Sequence, residues 1–313
     1  GIGYILVQTV DTALIGHTGT SNLSIVSMCD FWTMCSAVFM TSSVLSTFAG
    51  QARGNNQRKL VGVWTQVAML NTAIVSIPVA ICWLLTRQVL LDFGRTEAVA
   101  AKAEYYASVL ILAFPMRNIA QAMGAFFICQ KILHPTRNSV IFMLAINTIF
   151  GLYFVLGMGP LRFLLGEQQF AGVGFSACPW VTVFAEFCQI SMLVGWYCYV
   201  KKLHEPCWGG FDLSEITFDR MWQYFSMYFP AALSLGSDYW RMAAVGAMAV
   251  WLGDQEAAIF NANYRILAVC QGCSGAVTRS MVTNMNLYLG NGNIDAAKQS
   301  LSVGLAMASC ITL

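Results

Sequence analysis

Long apolar stretches alternate with short polar connectors along all 313 residues of this chain. A helix that crosses the hydrocarbon core of a bilayer needs about 20 mostly apolar residues, and this length predicts eight membrane spans and the start of a ninth. The eight spans cover residues 1–16, 24–50, 60–86, 103–130, 136–158, 172–200, 221–252 and 256–289, and the ninth begins near residue 296. The pattern therefore predicts an all-α polytopic membrane protein.

The composition excludes an ordinary soluble domain. Hydrophobic residues make up 57% of the chain and charged residues 10%, whereas soluble domains are about 45–50% apolar and about 25% charged. Lys and Arg are few and dispersed, which argues against nucleic acid as a partner and leaves the lipid bilayer. Because both ends lie inside apolar runs, we interpret the chain as a fragment of a longer protein.

Basic residues are distributed unevenly between the connectors. Those that follow spans 2, 4, 6 and 8 hold Arg53, Arg58, Lys59, Lys131, Arg137, Lys201, Lys202, Arg220 and Lys298. Those that follow spans 1, 3, 5 and 7 hold Arg87, Arg95, Lys102 and Arg162. By the positive-inside rule, this bias places the N-terminus and the even-numbered connectors in the cytoplasm.

An acidic residue, Asp11, lies near the end of the first predicted span. A charge at the centre of a bilayer costs about 2.5–3.5 kcal/mol even on the lenient insertion scale, so a functional role is the default hypothesis. Gln8 lies one helical turn earlier, and we expect it to hydrogen-bond to Asp11. The alternative is an interfacial aspartate at a helix end.

Three further acids fall inside predicted spans, at Asp30, Glu186 and Asp238. Asp238 is central in its span and is a candidate for ligand binding, with an internal pair to Arg241 at i,i+3 as the alternative. Asp30 and Glu186 are interpreted as structural. The amides of Gln121 and Asn147 either line a cavity or hydrogen-bond to a neighbouring helix.

Other chemistry is not indicated by the sequence. Cys270 and Cys273 fall in a predicted span, where helix packing is favoured over a redox role. The three histidines lie in separate connectors, so no zinc site, no cofactor and no enzyme activity are predicted. Proline at 115 and 230 predicts local helix kinks.

Two pairs of similar features in the sequence indicate an internal repeat. An acid occurs in span 1 and again in span 7, and the connectors after spans 2 and 8, ARGNNQRKLVGV and LGNGNIDAAKQSLSVG, are alike. The two members of each pair are six spans apart. Because six is even, the two copies would share one orientation across the membrane.

A series of short motifs, in order, carries a family resemblance. They are Val10-Asp11-Thr12 with Gly16-His17-Thr18-Gly19, Gln51-Ala52-Arg53-Gly54-Asn55, Pro115 with Gln121, Asn147, Gly172-Val173-Gly174, Pro230 with Asp238-Tyr239-Trp240, and Leu289-Gly290-Asn291-Gly292. In this order and spacing, they make the chain resemble the multidrug and toxic compound extrusion (MATE) transporters over essentially its whole length.

The resemblance implies a two-lobe bundle of six plus six helices that is truncated in the second lobe. The N-lobe would be residues 1–200, a cytoplasmic inter-lobe linker 201–220 and a partial C-lobe 221–313. The family exports small organic compounds, most often cations, in exchange for H⁺ or Na⁺. This implies a small-molecule substrate, and we expect a monomer.

The resemblance also assigns candidate residues. Asp11 and Asn147 inherit a role in ion or proton coupling, to which the residue pattern adds Gln8. The substrate cavity is expected to include Asp238, Asn261, Gln121, Trp240 and Arg265.

Several family positions differ in this chain. In span 7, Asp238 stands where Glu is usual, and Ala243 stands where some members have a second acid. Gly151 replaces a second asparagine in span 5, and Arg265 replaces a polar residue in span 8. Two arginines near Asp238 would weaken the attraction for a cation. An exporter of lipid-linked or anionic substrates and a transport-inactive membrane paralogue are therefore kept as alternatives.

Overall fold

The computed structural model describes residues 2–165, 170–252 and 254–312, and these parts of the chain are almost entirely helical. The first half contains α1 (Ile2–His17), α2 (Thr20–Ala37), α3 (Leu45–Gly54), α4 (Arg58–Leu84), α5 (Thr86–Asp92), α6 (Glu97–Ile111) and α7 (Phe114–Cys129). The second half contains α8 (His134–Phe154), α9 (Pro160–Leu165), α10 (Cys178–Ile190), α11 (Phe218–Leu252), α12 (Asp254–Gly290) and α13 (Ile294–Thr312). The all-α polytopic fold is confirmed.

Each predicted span corresponds to one helix or to a few joined helical segments; span 6 consists of the 3₁₀ turn Gly174–Ala177, α10 and the π-helix Ser191–Val200. Among the described residues, four segments are long and apolar enough by themselves to cross a membrane: Thr20–Gly54, Arg58–Leu84, His134–Phe154 and Gly174–Val200. A fifth is the pair α6–α7 if its two helices form one span. α1 has only 16 residues, and α11 carries charged residues at its centre. The count of eight complete spans therefore stays a prediction.

Two of the spans are broken. The predicted kink at Pro115 is confirmed, because α6 and α7 meet there at 47° and the proline occupies the first turn of α7, where its missing N–H costs nothing. Span 2 is interrupted between α2 and α3 by the short 3₁₀ turn Val38–Met40. By contrast, α11 continues through Pro230 as one helix.

Residues 201–217 fold against the N-lobe. Cys207 is buried, the ring of Trp208 packs edge-to-face on Phe126 at 5.9 Å between centroids, and Gln66 Nε2 donates to the carbonyl of Gly210 at 2.7 Å. The predicted linker, 201–220, thus contains an ordered segment and the first turn of α11. The division into lobes at these boundaries stays a prediction.

The N-lobe and the partial C-lobe meet along α3 and α12. A side chain at Gly54 would overlap the backbone of Leu287 and Gly290, and one at Gly290 would overlap the backbone of Gln51. Only glycine allows two helix backbones to approach this closely. Beside the crossing, Asn286 Nδ2 lies 3.4 Å from the hydroxyl of Thr47.

Candidate functional site

Asp11 is buried in the N-lobe, with 5% of its surface exposed. Two helices that pack against α1 supply its hydrogen bonds. Asn147 Nδ2 of α8 donates to Oδ1 at 3.0 Å, and Thr182 Oγ1 of α10 donates to Oδ2 at 2.8 Å. Each carboxylate oxygen therefore has one donor, and the three groups form a site inside the helical bundle.

A small residue lets α1 approach α8. Gly151 of α8 faces Leu14 of α1, and a side chain at this glycine would overlap the leucine. Asn147 lies one turn before Gly151 on the same helix, so the close contact at the glycine brings the amide to Asp11. Gly151, at the position where the family has a second asparagine, thus allows close helix packing in this chain.

In the part of the chain that the structure describes, the Asp11 carboxylate has no cationic partner. None of the ion pairs among the described residues includes Asp11, and the nearby carboxylates of Asp30 and Glu186 repel its charge. The side-chain oxygen of Asn147 is buried and accepts no hydrogen bond in the described structure. A buried carboxylate with two donors and no cation is suited to take up a proton or a metal cation.

A buried ion pair lies one helical turn from this site. Glu186 follows Thr182 by four residues on α10, which puts both side chains on one face. Arg117 of α7 donates from Nε to both oxygens of Glu186 at 2.8 and 2.9 Å and from NH2 at 2.8 Å. The arginine thus neutralises the second acid, whereas none of the ion pairs formed by the described residues includes Asp11.

The predicted coupling residues do not all converge. Asn147 lies against Asp11, and the hydrogen bonds to Asp11 among the described residues come from Asn147 and Thr182 rather than from Gln8. The backbone carbonyl of Gln8 accepts a hydrogen bond from Thr12 Oγ1 at 2.7 Å. Sequence analysis missed Thr182, although its i,i+4 spacing from Glu186 marks a polar stripe on an apolar span.

Three of the predicted cavity residues, Asp238, Trp240 and Gln121, have described side chains. Asp238 pairs with Arg241 at 3.3 Å, and both side chains are exposed, so the internal pair kept as the alternative is present. Trp240 Nε1 donates to the carbonyl of Cys35 in α2 at 2.9 Å, which places the indole at the lobe boundary. Gln121 is exposed on α7. The side chains of Asn261 and Arg265 lie outside the described residues.

Comparison with known proteins gives consistent matches. The MatE family model matches residues 2–153. The chain is 23% identical over 314 residues to Protein DETOXIFICATION 13 of Arabidopsis thaliana, covering 98% of this chain and 61% of that protein. It is 24% identical over 315 residues to Multidrug and toxin extrusion protein 1 of Oryctolagus cuniculus, covering 98% and 52% respectively. The chain thus spans about 60% of the length of its plant relatives.

The fold matches solved structures as well. The crystal structure of the eukaryotic MATE transporter AtDTX14 superposes with a TM-score of 0.84 at 20% sequence identity, over 98% of this chain and 66% of that one. A MATE structure in the bent conformation gives a TM-score of 0.77 at 13% identity. At these identities the likeness establishes the fold.

Proposed function

Since this chain belongs to the MATE family of membrane transporters, we propose that it is part of a secondary antiporter. The protein would export small organic compounds in exchange for H⁺ or Na⁺ by alternating access between its two lobes. Asp11, with Asn147 and Thr182, would bind the driving ion. The protein would act as a monomer with its N-terminus in the cytoplasm.

The observation that carries this proposal is the uncompensated carboxylate of Asp11. Holding a charge inside a membrane protein is costly, and an acid that served only structure would be expected to have a cationic partner, as Glu186 has in Arg117. Without one, Asp11 gains most from binding an ion. An ion taken up on one side and released on the other would couple its gradient to movement of the lobes.

For the substrate, we propose an organic cation or a neutral organic compound. The names of the relatives, detoxification and multidrug and toxin extrusion proteins, support a broad range of compounds. An anionic substrate has less support, because Arg117 pairs with Glu186 and Arg241 pairs with Asp238. The roles of Asp238, Asn261, Gln121, Trp240 and Arg265 in substrate binding remain predictions.

The test is efflux of a fluorescent organic cation from vesicles containing the full-length protein. A proton gradient and a sodium gradient are applied separately. Asp11→Asn, which keeps the shape of the side chain and removes its charge, is expected to abolish gradient-driven efflux. Asp92→Asn serves as the matched control, because Asp92 is exposed at the end of α5 and should leave efflux unchanged.

The gradient that drives efflux by the unmodified protein identifies the coupling ion. Unchanged efflux in Asp11→Asn would show that the ion binds elsewhere. Absence of efflux in the unmodified protein with every cation tried would favour the transport-inactive paralogue or an exporter of other substrates.

A further inference from the structure

A polar cavity of about 230 Å³ lies where helices of both lobes end. The ends of α3 and α7 line it from the N-lobe, and the end of α12 lines it from the C-lobe. Arg53, Gln130, Lys131 and Asn291 contribute polar side chains. At about 30 Å³ for each water molecule in the liquid, the cavity has room for a small polar ligand.

The cavity is positively charged. Arg53 and Lys131 both line it, and no acidic residue does. Neither belongs to any ion pair formed by the described residues. Two like charges held together without an acid create a positive potential that attracts an anion. The neighbouring amides of Gln130 and Asn291 are neutral groups that also offer N–H donors.

Lys131 occupies an unusual backbone conformation. It follows the end of α7 with φ of 63°, in the left-handed region where a helix commonly ends with glycine. The N–H of the next residue, Ile132, donates to the carbonyl of Phe127 at 3.0 Å and completes the helix end. Lysine therefore occupies a position where glycine would suit the backbone better, and this residue lines the cavity.

The cavity lies at the level where membrane helices end. The excess of basic residues assigns this end of the bundle to the cytoplasm, and basic pockets between helices on that side bind the phosphates of anionic lipids. We propose that the cavity binds a phosphate-bearing anion, which is either the headgroup of an anionic lipid or a soluble phosphate compound. Arg53 would bind the phosphate through paired hydrogen bonds and Lys131 as a point charge.

A ligand in this cavity would join the two lobes. Arg53 and Lys131 belong to the N-lobe, Asn291 follows α12, and the close crossing of Gly54 and Gly290 lies next to it. The bound anion therefore stabilises the arrangement in which α3 and α12 are in contact. It has to dissociate from the residues of one lobe before that end of the bundle opens. This role does not require that the protein be an antiporter.

The experiment uses the full-length protein in nanodiscs and measures its thermal unfolding temperature. Nanodiscs of phosphatidylcholine alone are compared with nanodiscs in which phosphatidylglycerol is added in a titration. The lipid is expected to raise the unfolding temperature of the unmodified protein. In Arg53→Gln/Lys131→Gly the apparent affinity for the lipid is expected to fall about tenfold or more, as when charge-assisted hydrogen bonds are lost.

Lys131→Gly keeps the backbone conformation, so this variant separates loss of binding from loss of folding. Arg137→Gln is the matched control, because Arg137 is an exposed basic residue at the same end of the bundle and lies outside the cavity. Its response to the lipid should equal that of the unmodified protein.

A second arm adds inorganic phosphate to phosphatidylcholine nanodiscs, with potassium chloride at equal ionic strength for comparison. A rise in unfolding temperature with phosphate and none with phosphatidylglycerol identifies a soluble ligand, and the reverse identifies a lipid. An equal response of the unmodified protein and Arg53→Gln/Lys131→Gly would overturn the proposal. So would the absence of a response to both ligands.

Discussion

Thr182 is the residue of the Asp11 site whose replacement best distinguishes the two driving ions. Its hydroxyl donates to Asp11 and so stabilises the charged carboxylate. In Thr182→Val this donor is lost without a change in shape. If the driving ion is H⁺, proton binding should tighten, because the charged form loses a hydrogen bond. If it is Na⁺, binding should weaken, because an oxygen ligand is lost.

The expected change in apparent ion affinity is about 10- to 150-fold, from the roughly 1.5–3 kcal/mol typical of a hydrogen bond to a charged group. It is measured from efflux rates at varied pH or sodium concentration. Thr148→Val is the control, because that hydroxyl donates to the carbonyl of Leu144 in its own helix. Equal effects of the two variants would show that Thr182 has no particular role in ion binding.

The buried pair of Arg117 and Glu186 should matter more for stability than any exposed pair. Arg117→Met leaves an uncompensated carboxylate in the bundle and is expected to destabilise the protein by about 3–5 kcal/mol. Arg117→Met/Glu186→Met removes both charges and should recover much of that loss. Unfolding of the purified full-length protein measures both effects.

The exposed pair of Arg87 and Glu97 is the comparison. Arg87→Met should change stability by about 0–1 kcal/mol, as is usual for ion pairs in contact with water. A double variant no more stable than Arg117→Met would contradict this account of the buried pair.

At the scale of helices, apolar length predicted where the long helices lie, because a segment that crosses the hydrocarbon layer needs about 20 mostly apolar residues. The bend between α6 and α7 was also predictable, since Pro115 removes a hydrogen-bond donor. The break between α2 and α3 was not, because residues 38–44 contain no proline or glycine. The short helices α5 and α9 are below the length at which periodicity is informative.

The candidate site was predictable to a lesser degree than the helices. An acid in a span stands out by its cost, which is why Asp11 could be identified. Its partner Thr182 was marked only by its spacing of four residues from Glu186, which is a weak signal because threonine is common in apolar helices and its hydroxyl can bond within its own helix. Which helices meet at Asp11 depends on packing, including the contact of Gly151 with Leu14.

The crossing of α3 and α12 should be the most sensitive contact between helices. Gly290→Ala places a methyl group against the backbone of Gln51, and such overpacking typically costs about 1–3 kcal/mol. Gly195→Ala is the control, because apart from its chain neighbours and the backbone of its own helix no heavy atom lies within 4 Å of the added carbon. The thermal unfolding temperature should fall for Gly290→Ala and stay constant or rise slightly for Gly195→Ala. Equal unfolding temperatures would show that the two helices separate easily.

At the scale of the whole molecule, the close backbone crossing of α3 and α12 lies at the end of the bundle that the positive-inside rule predicts to be cytoplasmic. Gly54, Gly290 and the pair of Thr47 and Asn286 lie there, whereas Asp11 is buried within the N-lobe, among α1, α8 and α10. The predicted lobes also touch where Trp240 of α11 donates to the carbonyl of Cys35 in α2. In the proposed antiport cycle, alternating access requires that the crossing of α3 and α12 open and close. A covalent link across it should therefore stop transport without affecting the Asp11 site.

Thr47→Cys/Asn286→Cys supplies such a link, because the two side chains already lie within hydrogen-bond distance. Under oxidising conditions the full-length double variant is expected to lose gradient-driven efflux, and a thiol reductant should restore it. Thr47→Cys alone should transport equally in both conditions, which controls for oxidation of the native cysteines. If the linked protein still transported at the full rate, substrate would cross without separation of α3 and α12, and the coupling ion would have to act through movements inside one lobe.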